Sequence, residues 1–351
     1  MDDSFYAGLS LEQWRKLIVR LLLPAIIILS PLYWFYSYGV MPGPGPEEGD
    51  EVLVSIPVGK GFAGVYQALL DGEVVRDDMR FAMLASWSGV SRQLKAGEYV
   101  FPRPISPKEV LDLLVKGDIR QLPVTIPEGL TIDEVALLLE EKGWGERSQF
   151  IALCHDRQFI TELGLGQDSL EGYLFPDTYN LTRSQTDRQI IVMMVRRFLE
   201  VEQQRFSGKL VEADKVTDGL SRHQEIILAS IVEKETGQGD ERGRIARVFL
   251  NRLAKNMRLQ ADPTVIYGLG AKYDGNITRK DLRTPTPYNT YVIRGLPQGP
   301  IANPGRAALD AVANPPEGDW LYFVARGDGT HKFSTTLDEH NKAVRRYQLK
   351  R

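Results

Sequence analysis

Hydrophobic and polar positions along this chain change period several times, so they predict a succession of different elements. Leu21 to Val40 carries no charged side chain. A bilayer core about 30 Å thick takes roughly 20 helical residues, so this run predicts a membrane-crossing helix. From Glu51, EVLVSIP predicts a strand, then a helical pattern runs through Ala68 and Leu69 and a second from Asp77 to Ser86. AGEYVF at 96–101 closes that unit as another strand, giving a β-α-α-β order. Ile132 to Lys142 sets Val135, Leu138 and Leu139 against Glu140, Glu141 and Lys142, an amphipathic helix. Asp187 to Arg205 brings Ile191, Val195 and Phe198 into register, and Glu241 to Lys255 continues the helical texture after a break at Gly237–Gly239. Beyond Met257 the chain turns polar, rich in Pro and Gly, with interspersed aromatics. LYFVA and HKFST flank a GDG turn and predict a hairpin, and Leu337 to Leu349 reads as a closing helix. The predicted fold class is α+β with helices dominant.

The flanks of the apolar run orient it. Arg15, Lys16 and Arg20 precede it, whereas Glu47, Glu48, Asp50 and Glu51 follow. This asymmetry predicts a cytoplasmic amino terminus with everything after Val40 outside. Trp14 on one side and Tyr33, Trp34, Tyr36 and Tyr38 on the other suit the two interfacial belts. Pro24 and Pro31 are tolerable kinks in a bilayer. The run exceeds the ~7–15 apolar residues of a signal peptide and no small-x-small site follows, so an integral anchor is expected. The predicted organisation is a tail at 1–16, an anchor at 17–40, a Pro/Gly/acidic linker at 41–50, a small module at 51–120 and a larger domain at 121–351. A weak repeat joins the last two: Val54, Ile56, Pro57, Gly59 and Val65 recur as Val124, Ile126, Pro127, Gly129 and Val135, each 70 positions later. Each copy reads as strand, Pro-x-Gly turn and amphipathic helix.

Composition excludes several kinds of chemistry. In 351 residues, 43 Lys and Arg stand against 46 Asp and Glu, a net charge of -3 without a basic tract, which argues against nucleic acid as a partner. Cys154 is the lone cysteine, which rules out an internal disulfide and a Cys-based metal cluster. His155, His223, His331 and His340 show no metal-ligand spacing. No Gly-rich phosphate loop, GxGxxG fingerprint or G-x-S-x-G elbow is present, and adjacent Cys154 and His155 do not suggest a dyad. Neither a metal nor a cofactor is expected.

Carboxylates remain. Ser221 with Gln224 has capping-box spacing, so a helix is predicted to begin there and run through IILASIVEKET. Ile227, Ile231 and Glu235 share one stripe; Ala229, Ser230, Glu233, Thr236 and Gly237 share another. Small neighbours leave room for a ligand beside Glu233, which lies in the last turn before Gly237, the expected stop. The helix dipole and an apolar surrounding would both raise its carboxyl pKa, as a proton donor near neutral pH requires. The alternative is a solvated helix end. Behind Glu233 as acid/base candidates stand Glu235, Asp262, Glu171 and Asp177. Three segments predicted as loops, EGYLFPDTY at 171–179, QADPTVIYG at 260–268 and TPTPYNTY at 284–291, interleave aromatic faces with hydroxyls and amides. That mixture suits a sugar, although ordered loops plugged by Tyr and Pro have the same composition.

The runs LASIVEKET, RLQADPTVIYG, TPYNTY, GLPQGPIANPG and YFVA…GTHKFSTT…HNKAV resemble, in order, those of the endolytic murein transglycosylases, bacterial membrane-anchored enzymes of cell-wall metabolism. The resemblance extends over nearly everything from Glu51 onward, and IPxG…LKAGEYVF matches a small LysM-like unit at 51–120. It implies a lyase cutting peptidoglycan glycan strands internally between N-acetylmuramic acid and N-acetylglucosamine, leaving 1,6-anhydro ends and terminating polymerisation. It implies that the first Glu of VEKET, Glu233, is the catalytic acid. Ordinary glycosidases use two carboxyl groups. A lytic enzyme uses the substrate's C6 hydroxyl as nucleophile and needs one. Glu171, Gln260, Asp262, Tyr288 and Asn289 are expected to line the cleft and bind substrate. Membrane-bound peptidoglycan synthases are the partners the family implies. The runner-up reading is a non-catalytic anchored scaffold that grips glycan; a true hydrolase is a third.

Overall fold

A computed structural model describes residues 11–45, 49–206 and 219–349. Residues 1–10 of the expected tail, Glu47 and Glu48 of the linker and the Trp14 side chain lie outside the described residues. The chain forms two compact units, one running to Leu122 with Thr182–Ser184, the other comprising Pro123–Leu181 and Gln185–Arg351.

The first unit opens with helix α1, Leu11–Val40, which runs unbroken through Pro24 and Pro31. Between Arg15 and Val40 it is long and apolar enough to cross a membrane, and Leu21, Ile27, Leu29 and Leu32 project outward. There follow β1 (Asp50–Ile56), α2 (Gly61–Asp71), α3 (Met79–Trp87), β2 (Gly97–Arg103) and α4 (Pro107–Lys116). The strands pair antiparallel with Val54 opposite Tyr99 and Val52 opposite Phe101. Side chains alternate along a strand, so Val54 and Ile56 of β1 meet Tyr99 and Phe101 of β2 in a core completed by Leu69, Phe81 and Leu114. Helix α4 was not expected, yet its signals are local. Ser106 and Glu109 form a complete capping box, Pro107 opens the helix and Gly117 closes it at φ 74°.

In the second unit, β3 (Leu122–Thr125) pairs with β4 (Thr178–Leu181), and between them lie α5 (Ile132–Glu141), α6 (Arg147–Cys154) and α7 (Arg157–Glu162). Then come α8 (Asp187–Phe206), α9 (Arg222–Glu235), α10 (Gly239–Ala254), α11 (Asp262–Leu269) and α12 (Arg306–Ala313). The hairpin β5 (Tyr322–Ala325) and β6 (His331–Ser334) precedes α13 (Leu337–Tyr347). Helix α9 is the centre: every residue from Glu225 to Val232 is buried, and α10, α11 and α12 pack against it. Its apolar middle, residues 226–229 with Ile231 and Val232, covers every side of the helix and so belongs in a core. Glu241, in the first turn of α10, ties down the hairpin by accepting the His331 N–H at 3.0 Å and meeting its Nδ1 at 2.7 Å.

Three expectations are corrected here. QADPTVIYG is no loop; Asp262 and Pro263 form the first turn of α11, where a missing N–H is harmless and an anion meets the positive helix end. The stop after α9 is Thr236, extended at φ -147° and ψ 135°, rather than Gly237. The room left by the small stripe is filled by the chain itself, since the Ile301 N–H donates to the Ser230 hydroxyl at 3.0 Å and Ile301 and Ala302 are buried.

Candidate active site

The site is built from the end of α9 upward. Glu233 stands in its last turn with a side chain only 6% exposed. Its Oε1 accepts from Arg242 Nη2 at 3.0 Å, and its Oε2 accepts from the main-chain N–H of Gly305 at 3.0 Å. Arg242 comes from α10, and Gly305 is the N-cap of α12. The carboxylate therefore meets the free N–H end of a helix as well as a guanidinium, two features that bind anions. The setting is polar and charged, not the apolar surrounding expected from the sequence.

A second carboxyl shares the guanidinium. Glu128 Oε2 lies 3.8 Å from Arg242 Nη2, and its side chain is about half exposed. Burial first, then the neighbouring charge of Glu233, raise Glu128 above the usual carboxyl range, with Arg242 opposing. Gly305 makes this approach possible, because a Cβ there would stand 1.9 Å from Glu128 Oε1. Gly129, at φ 78°, passes beside Glu233 Cγ, and its carbonyl accepts from Lys234 Nζ at 3.1 Å. Arg242 Nε is buried with no hydrogen-bond partner among the described residues.

The other predicted site residues fall into separate groups. Glu171 is 5% exposed and accepts from the Ile132 N–H at 3.1 Å, Tyr267 Oη at 3.0 Å and Asn303 Nδ2 at 3.2 Å. Burial pushes its carboxyl up to about 7, with the Ile132 and Tyr267 hydrogen bonds opposing. It thus satisfies the first N–H of α5. Tyr288 stacks edge-on against Tyr267 at 4.7 Å between centroids, and a cavity of about 270 Å³ brings it together with Glu171, His223, Gln298 and Pro300. Asp262 is exposed and accepts from Tyr291 Oη at 2.5 Å. It is near enough to Glu235 to raise that carboxyl, which burial chiefly lifts to about 8 against the opposing charge of Arg252. Gln260 is exposed in the left-handed region at φ 51°. Asn289 is 1% exposed, and its Nδ2 donates to the Asp281 and Thr284 carbonyls at 3.1 and 2.8 Å, while Oδ1 accepts from the Tyr291 N–H. Its amide is thus engaged by its own loop. Asp177 pairs with Arg197 at 2.7 Å.

Sequence reasoning missed Arg242, Gly305, Glu128 and Asn303. Asn303 is a knot: Oδ1 accepts from the Gly172 and Leu174 N–H groups, both at 2.9 Å, and Nδ2 reaches the Leu130 carbonyl at 2.9 Å. A signal for Glu128 existed in the repeat. The residue between Pro and Gly is the exposed Val58 in one copy and Glu128 in the other.

A helical core that ends in a nearly buried, hydrogen-bonded Glu233, with Glu128 as a second carboxyl on the same Arg242, has the parts of an acid/base site. The profile of the YceG-like family matches residues 54–346, and the chain belongs to that family. The endolytic murein transglycosylase of Bacillus subtilis (strain 168) is 30% identical over 311 residues, covering 84% of each chain. That of Streptococcus pneumoniae (strain ATCC BAA-255 / R6) is 30% identical over 325 residues, covering 84% of this chain and 58% of the relative. Among solved structures, a yceG-like protein from Listeria monocytogenes superposes with a TM-score of 0.55 at 32% identity, covering 84% of this chain and 99% of that one.

Proposed function

We propose that this protein is an endolytic murein transglycosylase, a lyase that cuts peptidoglycan glycan strands between N-acetylmuramic acid and N-acetylglucosamine and leaves 1,6-anhydro ends. The observation that carries the reading is the Glu233 side chain, nearly buried and held by Arg242 and the Gly305 N–H, in a chain whose relatives bear that name. Glu233 protonates the bridging oxygen as the C1–O bond breaks. The C6 hydroxyl of the same muramic acid then bonds to C1 and returns its proton to Glu233, so no water is consumed. Arg242 remains paired while Glu233 carries the proton, because Glu128 offers the guanidinium a second carboxylate. Tyr288, Asp262 and Gln260 bind sugar hydroxyls and acetamido groups; Glu171 and Asn289, engaged by hydrogen bonds within the protein, hold the segments around them.

On this reading α1 crosses the membrane with its amino terminus in the cytoplasm, the unit at 51–120 acts as a LysM-like glycan grip, and the domain at 121–351 cuts strands close to their synthases, ending polymerisation. Glu128 beside Arg242 favours one competing reading, a two-carboxylate hydrolase. Purified glycan digested by the protein and by Glu233→Gln, with ends scored by mass spectrometry, separates the possibilities. Anhydro ends from the parent alone are expected. Equal product from both removes Glu233 as the acid, reducing ends favour the hydrolase, and no product from the parent favours a scaffold.

A further inference from the structure

Helix α3 presents two unlike faces. Phe81 and Ala85 are fully buried in the core of the first unit. Met79, Met83 and Trp87 recur at four-residue intervals, one stripe of the helix, and are 72%, 48% and 81% exposed. Arg80 is the helix's one charged side chain, and it turns away from that stripe. Its guanidinium lies over the Trp34 and Tyr38 rings of α1, 4.4 Å from each centroid, and its Nε donates to Asp78 at 2.8 Å. Exposed apolar side chains gathered on one stripe mark an interaction surface.

The contacts with α1 say which. Trp87 meets Phe35 edge-on at 5.6 Å, and Leu84 lies against Gly39. Phe35 sits among Tyr33, Trp34 and Tyr36, all exposed, the aromatic belt at the outer end of the apolar run. At about 1.5 Å rise per residue, Phe35 and Gly39 are about 6 Å apart along α1. A headgroup layer is about 5–8 Å thick on each side. A helix touching α1 at both positions therefore lies at headgroup depth beside the belt.

We propose that the Met79–Met83–Trp87 face of α3 rests in the headgroup–acyl boundary of the bilayer that α1 crosses. The first unit then stands on the membrane through a second element and cannot swing freely about the end of its anchor. Unbranched Met side chains and an amphipathic indole suit that layer. The inference rests on α1 spanning a bilayer, and its test keeps the two apart.

The full chain is placed in phospholipid nanodiscs whose acyl chains are brominated near the headgroup, and lipid quenching of tryptophan is measured for the parent and for Trp87→Phe. The expected result is a smaller quenched fraction in the variant, with residual quenching from the tryptophans of α1. A Met79→Glu/Met83→Glu variant, altered only at exposed positions, is expected to lose the Trp87 share of the quenching and to shift emission to the red. An unchanged quenched fraction in Trp87→Phe, with the α1 signal intact, overturns the proposal and leaves the span in place. No quenching in either chain removes the span and the proposal together. Trp87 unquenched by lipid yet shielded from acrylamide assigns the stripe to a second copy or another protein, which also overturns it.

Discussion

The main-chain N–H of Gly305 donates to Oε2 of Glu233 at 3.0 Å, joining the start of α12 to the last turn of α9. Glycine at 305 is what lets Glu128 come to the same helix end, because a Cβ there would stand 1.9 Å from Glu128 Oε1. The two carboxyls thus meet at one helix end only through a glycine.

Gly305→Ala is accordingly expected to drive Glu128 off Arg242 while leaving the N–H in place. The far end of Glu128 is flexible, so the stability loss should be small, about 1 kcal/mol. Product formation is expected to fall at least tenfold if Glu128 keeps Arg242 paired during proton transfer. Rates with defined glycan, alongside thermal melts, check both. Undiminished turnover would release Glu128 from that role.

Arg242→Ala leaves Glu233 nearly buried without its cation. Removing one partner of a buried pair costs about 3–5 kcal/mol, most of it the exposed need of the charge left behind. In the Glu233→Gln background that charge is gone, so the same Arg242→Ala change should cost much less. Urea titrations of the four chains give the coupling directly; additive losses would mean that the two side chains do not act as a pair.

The pH dependence of stability follows from Glu235. Its carboxyl is raised to about 8 by burial and by Asp262, against roughly 4.3 for an unfolded Glu. Between these values the native state holds a proton that the unfolded state lacks, so this contribution is fully present below the lower value and is lost as pH rises to about 8. Glu171, raised to about 7, acts in the same direction. Glu235→Gln is expected to flatten the decline in melting temperature between roughly pH 5 and 8. A slope identical to the parent's would contradict the assignment.

Asn303→Ala removes one acceptor from two buried N–H groups, those of Gly172 and Leu174. At about 1–3 kcal/mol for each donor left unpaired, a loss of about 3 kcal/mol or more is expected. Hydrogen exchange should show both amides losing protection while α13 keeps its own. Retained protection at Gly172 would show that another acceptor replaces Asn303.

Much of the fold was legible because its signals are local. The capping box of Ser221 and Gln224 forms with both of its bonds, and the β-α-α-β order and the late hairpin follow from alternation and turn residues. Helices α11 and α12 escaped because they are short and sit in a Pro/Gly-rich stretch, where turn residues dominate the pattern. Helix α4 carries a complete set of local end signals in Ser106, Pro107, Glu109 and Gly117.

What the sequence determined by itself was set within a few residues: the apolar run of α1, the capping box that starts α9, strand alternation, and the candidacy of Glu233. What only the tertiary structure decided was the company that carboxylate keeps. Arg242 is 9 residues away and Gly305 is 72, while Glu128 reaches the site through a turn whose twin in the first unit carries Val58. The physical reason is that helix and strand preferences arise from neighbours along the chain, whereas the charges around a buried acid depend on which loops the packed core brings together.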